Sequence, residues 1–257
     1  MTGFAPAIDP SGNVFVVTGN GAFASPGGRD WGESVLKLGP DLGAVLSSFV
    51  PADYANLNQN DTDFGSGGVM LLPAVQGQTA PPMAVAMGKD AVLYLLNQNS
   101  LGGLHAKDTG ALQSTRLGSS GSGVWGGPAY YDGPGGPTVF YQINGDVLRA
   151  YSVSTGATPS LTQTVTGTSG AGYGGSLPIV SSNGATAHTG VVWLMERYSP
   201  ITLEAYDAST LGAPIYSAQT GSWSNPGQGN PFLTPMEANG HVYVTGYQNV
   251  YVFGLTQ

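Results

Sequence analysis

A short apolar phrase recurs along the chain, and its spacing limits the fold more than any other feature. Its five copies begin at Val35, Val92, Val147, Thr202 and Val250, so successive copies lie about 48 to 57 residues apart. The blades of a β-propeller repeat at a similar period. In each repeat, two other apolar runs precede this phrase. In every repeat except the last, a further apolar run follows it. Four short strands per repeat predict four-stranded antiparallel sheets arranged radially.

The repeat predicts the position of every strand. The predicted strands are residues 5–9, 14–18, 35–38 and 45–49; 68–72, 83–87, 92–95 and 112–117; 127–131, 138–142, 147–151 and 160–165; 176–180, 191–195, 202–206 and 214–217; and 232–237, 242–245 and 250–253. We therefore predict an all-β fold, a single β-propeller domain over residues 1–257. Its blades, about five in number, cover residues 4–50, 66–118, 126–166, 175–218 and 231–255. A β-sandwich is the alternative fold, because it also has short strands and turns rich in Gly and Pro.

The last repeat contains three predicted strands, and residues 1–3 are too few to supply a fourth. An unpaired edge strand is a liability in a sheet protein. One expectation is that the chain is an N-terminally truncated member of a longer propeller. The alternatives are an imperfect five-bladed ring and a homo-oligomer in which a partner completes the open blade.

Composition agrees with a β-protein and excludes several classes of function. The chain has 41 Gly and 18 Pro, only 9% charged residues, and 41% hydrophobic residues, which argues against disorder. The net charge of −8 disfavours nucleic acids and anionic membranes as partners. The absence of Cys excludes disulfides and thiolate chemistry. Neither a membrane span nor a signal peptide is recognisable in this sequence.

Several phrases resemble the quinoprotein alcohol dehydrogenase-like propellers, the PQQ-repeat family, and in particular their C-terminal blades. The matching phrases are VTGNG at 17–21, DWGESVLKL at 30–38, DTDFGSGGV at 61–69, GKDAVLYLLN at 88–97, TPMEANGHVYV at 234–244 and VYVFG at 250–254. They extend over nearly the whole chain. The family implies a β-propeller, and it includes many members with no known activity.

The resemblance implies roles for three residues in an oxidoreductase. Asn20 matches a calcium ligand beside the quinone cofactor, Asp63 matches the catalytic base toward an alcohol, and Lys89 matches a cation that hydrogen-bonds the quinone. The implied cofactors are PQQ and calcium, and the implied location is periplasmic or secreted. Calcium prefers oxygen ligands, and a carboxylate can accept a proton from an alcohol. The sequence departs from the family at Thr62, where a Trp is common, and in the family's remaining cofactor ligands, which belong to earlier blades.

Each of these residues also has an ordinary structural interpretation. Asn20 is typical of a turn after a strand, Asp63 can brace a loop by accepting backbone hydrogen bonds, and Lys89 is typical of a hairpin corner. Trp125 and Trp223 lie in loops before first strands, where they could line a ligand-binding face. The second function class is therefore a non-catalytic propeller that binds a small molecule, a saccharide or a protein.

A third function class is an ester hydrolase with a Ser-centred site. The nucleophile-elbow pattern Gly-x-Ser-x-Gly does not occur in the sequence. A catalytic triad is defined by geometry, so a Ser paired with His188 or His241 is left open.

Overall fold

The computed structural model describes residues 4–24, 28–197, 200–222 and 233–254, and nearly all of its regular structure is β. The first sheet contains β1 (Ala7–Ile8), β2 (Val14–Val17), β3 (Val35–Leu38) and β4 (Val45–Val50), paired in that order. Helix α1 (Tyr54–Gln59) and a 3-10 turn (Phe64–Ser66) follow. The second sheet contains β5 (Val69–Leu71), β6 (Met83–Ala86), β7 (Val92–Asn97) and β9 (Gln113–Arg116). Between β7 and β9, strand β8 (Gly103–Leu104) pairs with β4, and a second 3-10 turn spans Ala106–Asp108.

Three further sheets follow in the same pattern. The third contains β10 (Ala129–Gly133), β11 (Gly136–Tyr141), β12 (Val147–Ser154) and β13 (Ser160–Gly170). The fourth contains β14 (Ile179–Ser181), β15 (Val191–Glu196), β16 (Thr202–Asp207) and β17 (Leu211–Gln219). The fifth contains β18 (Met236–Ala238), β19 (His241–Gly246) and β20 (Asn249–Gly254). One parallel pair, Gly167 with Gly212, links the outer strands of the third and fourth sheets.

The predicted all-β class and its repeated four-stranded sheets are confirmed. Strand β13 extends to Gly170 and β17 begins at Leu211, so both are longer than predicted, and these extensions include the pair that links their sheets. Helix α1 was not predicted. It is only six residues long, and one side chain, Leu57, is buried, so its sequence shows no helical periodicity. Phe232, the first residue of a predicted strand, lies outside the described residues.

The chain divides into two compact units. The first comprises residues 1–127 and 154–161 and contains the first two sheets; the second comprises residues 128–153 and 162–257 and contains the rest. The prediction of a single domain over residues 1–257 stays a prediction. No helix among the described residues is long and apolar enough to cross a membrane.

Each unit has its own apolar core. In the first unit the rings of Phe49, Phe64 and Tyr94 pack together, with centroid distances of 4.8 to 6.3 Å. Strands β6 and β7 are buried over almost their whole length, which explains why they read as continuous apolar runs. In the second unit one cluster contains Phe140, Leu148, Val192, Leu194 and Tyr206, and another contains Leu203, Leu233, Val242 and Val244. These cores hold the strand ends from which the loops of the candidate site project.

Candidate functional site

Three loops of the first unit meet at one end of its two sheets. Asn20 follows β2, Asp63 immediately precedes the 3-10 turn Phe64–Ser66, and Lys89 lies in the turn between β6 and β7. The structure brings these three residues into one hydrogen-bonded cluster, although they are far apart in sequence. The residues that the sequence resemblance singles out are therefore neighbours in space.

Lys89 is the centre of this cluster. Its Nζ donates to Asp63 Oδ2, to the backbone oxygen of Asp61 at 2.8 Å and to Asp61 Oδ2 at 3.3 Å. The side chains of Lys89 and Asp63 are 14% and 15% exposed, whereas that of Asp61 is 78% exposed. The Lys89 ammonium is also 5.9 Å from the centroid of the Trp125 ring. One cation is thus held by two carboxylates and an aromatic ring.

Asn20 joins the loop after β2 to the two aspartates. Its backbone N–H donates to Asp63 Oδ1 at 3.2 Å, and its side-chain Nδ2 donates to Asp61 Oδ1 at 3.1 Å. The neighbouring Gly21 N–H donates to Asn58 Oδ1 at 2.8 Å. These contacts use both carboxylate oxygens of Asp63, one for Lys89 and one for Asn20.

The ionisation states follow from these contacts. Burial acts to raise the pKa of Asp63, but hydrogen bonds from Lys89 and from the Asn20 backbone outweigh it and hold that pKa below its usual value. Burial likewise acts to lower the pKa of Lys89, and Asp63 and Asp61 raise it. Asp63 is therefore a carboxylate and Lys89 an ammonium at neutral pH.

A glycine allows the loops to approach so closely. A Cβ atom built on Gly65 would lie 2.5 Å from the backbone nitrogen of Gly19. No real side chain tolerates that distance, so the backbone of one loop rests directly on the other. This contact fixes the position of Asp63 relative to Asn20.

The structure adds a buried acid, Glu33, which sequence reasoning did not single out. Its side chain is fully buried, and Oε2 accepts the Phe64 N–H at 2.6 Å, while Oε1 has no hydrogen-bond partner within the described part of the chain. Burial raises the pKa of Glu33 to about 7; the Phe64 hydrogen bond lowers it, and the nearby Asp63 and Asp90 charges raise it. In the sequence, Glu33 lies two residues before the apolar strand β3, a position where an acid is usually an exposed turn residue.

Asp90, next to Lys89, is a second buried acid and is only 1% exposed. Burial raises the pKa of Asp90 to about 6. The Val92 backbone N–H acts to lower this pKa, although neither carboxylate oxygen has a partner with normal hydrogen-bond geometry among the described residues. A charged residue at a hairpin turn is usually solvated, but Asp90 is buried because it leads directly into β7, which is buried from its first residue.

Of the two tryptophans predicted to line a ligand-binding face, the structure describes only Trp125. Trp125 is half-buried and contributes its ring to the cluster around Lys89. Trp223 lies outside the described residues.

The residues of the cluster do not fit a calcium and quinone site. Calcium takes about six to eight oxygen ligands, and the described residues contain no group of three or more His, Cys, Asp or Glu side chains placed to hold a metal ion. Both oxygens of Asp63 already accept hydrogen bonds. With no cation bound, the carboxylates of Asp61 and Asp63 outnumber the ammonium of Lys89 by one, so the cluster by itself repels a quinone that carries carboxylates of its own.

The histidines named for a hydrolase lie in the second unit. His188 lines a cavity of about 310 Å³ together with Asp207 and Ser209. The Ser209 hydroxyl donates to Asp207 Oδ1, and no hydrogen bond joins it to His188 among the described residues. His241 is exposed and its Nδ1 contacts the Asn239 backbone oxygen at 2.9 Å. The hydrogen bond from a Ser nucleophile to a His base, which defines such a site, is therefore not formed by Ser209.

Comparison with known proteins supports the fold. No family model matches the chain, and no curated protein matches it. Among solved structures, the chain is similar to BamB from Moraxella catarrhalis, with 15% identity, a TM-score of 0.52, and coverage of 97% of this chain and 60% of that one. It thus spans 60% of the length of that protein.

Two other solved structures give lower scores. They are the WD40 domain of Toxoplasma gondii coronin, with 11% identity, a TM-score of 0.47, and coverage of 83% and 47%, and Citrobacter koseri AztD, with 12% identity, a TM-score of 0.33, and coverage of 99% and 69%. At these identities a likeness shows the fold alone. Together with the repeated sheets, the likeness to BamB establishes that the chain has a β-propeller fold.

Proposed function

We propose that the chain is a non-catalytic, ligand-binding β-propeller, and that the cluster around Lys89 takes a neutral ligand rich in hydroxyl groups, such as a saccharide. The observation that carries the proposal is the arrangement beside Trp125. The exposed Asp61 carboxylate accepts a hydrogen bond from the Asn20 amide and is paired with the Lys89 ammonium, which lies 5.9 Å from the centroid of the half-buried Trp125 ring.

The chemistry of this arrangement suits hydroxyl groups. A carboxylate accepts hydrogen bonds from hydroxyls, and an Asn side chain both donates and accepts. An aromatic ring offers an apolar face to the C–H side of a sugar ring. A neutral ligand is not repelled by the net negative charge of the cluster, whereas an anion is.

The competing function is an oxidoreductase of the quinoprotein type, which the matching positions of Asn20, Asp63 and Lys89 suggest. Its difficulty is that the Lys89 charge is already neutralised inside the protein. A quinone would have to displace Asp61 or Asp63 to reach it, at the cost of leaving a carboxylate without its counter-ion.

The test is a screen of the purified chain against an array of neutral oligosaccharides, followed by calorimetry on the best ligand. We expect saturable binding that Trp125→Ala and Asp61→Asn each weaken by about tenfold or more. Asp132→Asn is the matched control, because Asp132 is an exposed acid of the second unit, and it should bind as the wild type does. Failure of every oligosaccharide, or full binding by Trp125→Ala, would contradict the proposal. Reduction of a redox dye that depends on added PQQ would instead support the oxidoreductase.

A further inference from the structure

The first unit contains a second cavity at the opposite end of the same strands. It has a volume of about 450 Å³ and lies where the turn before β2 meets the loop before β6 and the turn after β7. Part of its wall is apolar, formed by side chains that include Ile8, Leu71, Pro73 and Pro82, and the rest is polar or charged. It shares no residue with the cluster around Lys89.

A buried ion pair lies in this cavity. Lys37 Nζ is 3.4 Å from Asp9 Oδ2, and the two side chains are 13% and 10% exposed. The ammonium also donates to the backbone oxygen of Gln98 at 3.1 Å and lies 5.3 Å from the centroid of the Phe15 ring. Both charged side chains line the cavity.

Asp9 is well satisfied without Lys37. Its Oδ1 accepts the backbone N–H groups of Ser11 and Asn13, each at 2.9 Å, and its Oδ2 accepts the Asn13 side-chain amide at 2.8 Å. The turn from Asp9 to Asn13 therefore holds the carboxylate in place from its own chain segment.

Lys37, in contrast, has unused hydrogen-bonding capacity. An ammonium carries three donors, and the Gln98 oxygen uses one of them. The contact with Asp9 helps to lower the pKa of that carboxyl, but at 3.4 Å it is long for a charge-assisted hydrogen bond, which is usually about 2.7 to 2.9 Å. A mostly buried ammonium whose one short contact is a backbone oxygen favours an anionic acceptor, and the nearby Asp9 carboxylate limits this preference without giving the cavity a net negative charge.

We infer that this cavity binds an apolar carboxylate, with the carboxylate on Lys37 and the apolar body against Ile8, Leu71 and the prolines. Ile8 is 66% exposed at the rim, although it is a large aliphatic side chain, so a ligand would cover apolar surface that now faces solvent. The chemistry is shared by two sources: a free apolar carboxylic acid, and the C-terminus of a peptide that ends in an apolar residue.

Matched probes separate the charge from the apolar body. N-acetyl-leucine and N-acetyl-leucinamide differ in the carboxylate alone, and titration of each into the full chain would be followed by amide chemical shifts and calorimetry. We expect the acid to bind about tenfold more tightly than the amide, the ratio that one charge-assisted hydrogen bond supplies. The shifted amides should include those of Ser11 and Asn99, which line the cavity.

Variants then assign the effect to Lys37. Lys37→Met should abolish the preference for the acid, Lys37→Arg should keep it, and Lys107→Met, which removes an exposed lysine of the same unit, should leave it unchanged. If Lys37→Met does not fold, the comparison of acid and amide on the wild-type protein still tests whether binding depends on the carboxylate. Equal binding of acid and amide, no binding of either, or shifts confined to another surface would overturn the inference.

A further comparison identifies the source of the carboxylate. It uses a peptide that ends in Leu-Leu and the same peptide with an amidated C-terminus. Binding of the free peptide that depends on its carboxylate would assign the cavity to chain termini. A preference for N-acetyl-leucine with no binding of the peptide would assign it to small acids. Either result supports the carboxylate site, and neither depends on the saccharide proposal, because the two sites share no residue.

Discussion

At the scale of single residues, the candidate site is defined by how its charges compensate one another. Lys89 neutralises Asp63 and contacts Asp61, and Asn20 bridges the two aspartates. The family resemblance could place Asn20, Asp63 and Lys89 in one site. It could not show that their charges are used internally, since that depends on loop contacts that no sequence pattern encodes.

The Lys89–Asp63 pair should stabilise the first unit measurably. Lys89→Met leaves the mostly buried Asp63 carboxylate without its counter-ion, so we expect it to lower the free energy of unfolding by about 3 kcal/mol. Asp63→Asn should cost less, and the double variant should recover part of the loss. Urea unfolding of the four proteins, with Lys107→Met as the exposed control, measures the coupling. A Lys89→Met protein as stable as the control would show that the pair does not brace the loops.

The acids Glu33 and Asp90 illustrate a limit of sequence reasoning at this scale. Charged residues beside turns are usually solvated, and the sequence offers no reason to treat these two differently. Their burial results from the packing of the Phe64 turn and of β7, so it becomes visible only in three dimensions.

At the scale of elements, the repeated strand phrase was sufficient to place every sheet. It succeeded because each repeat alternates short apolar runs with turns, so strand positions are fixed by composition and spacing together. It did not predict α1, the short strand β8, or the full length of β13 and β17. These features depend on one buried leucine and on pairing between two sheets, neither of which leaves a periodic signal.

The close contact between the loops after β2 and before β5 should be intolerant of any side chain. Gly65→Ala would place a methyl group 2.5 Å from the Gly19 nitrogen, so we expect a loss of about 2 kcal/mol or more in the free energy of unfolding. Gly135→Ala is the matched control, because a Cβ there meets nothing within 4 Å. Thermal unfolding of both variants makes the comparison. If Gly65→Ala were as stable as Gly135→Ala, the loops would not be in direct contact.

At the scale of the whole molecule, buried acids should dominate the dependence of stability on pH. Burial raises the pKa of Glu33 and of Glu196 to about 7 and that of Asp90 to about 6. Each group is therefore protonated in the folded protein at a pH where it is ionised in the unfolded chain. The unfolded state binds fewer protons in that window, so stability falls as the pH rises from about 4.5 to 7.

Other carboxyl groups make the stability rise with pH, but they do so at lower pH. The pKa values of Asp9, Asp63 and Asp207 are lowered, so their contribution is complete above about pH 4 to 5. We expect stability to be greatest near pH 5 and to decrease toward pH 8. Urea midpoints measured across this range test the prediction, and a rise in stability from pH 5 to 8 would contradict it.

Glu33→Gln should flatten this pH profile. The amide oxygen of Gln can still accept the Phe64 N–H, and Gln has no charge to bury, so we expect a gain of about 1 to 3 kcal/mol at pH 8 and little change at pH 5. Glu237→Gln, which replaces an exposed acid of the second unit, is the control and should keep the wild-type slope. An unchanged slope in Glu33→Gln would mean that Glu33 is ionised in the folded protein.

We infer that Asn20, Asp63 and Lys89 belong to a hydrogen-bonded cluster whose one cation is already paired within the protein, and that they do not form a quinone site. Calorimetric titration of the purified chain with PQQ, with and without calcium, tests it most directly. We predict no saturable binding in either condition, because the oxygens of Asp63 already accept hydrogen bonds and the Lys89 ammonium is already paired with Asp63 and Asp61. Calcium-dependent, saturable binding that is lost in both Asp63→Ala and Lys89→Ala would contradict the claim and establish a quinoprotein site.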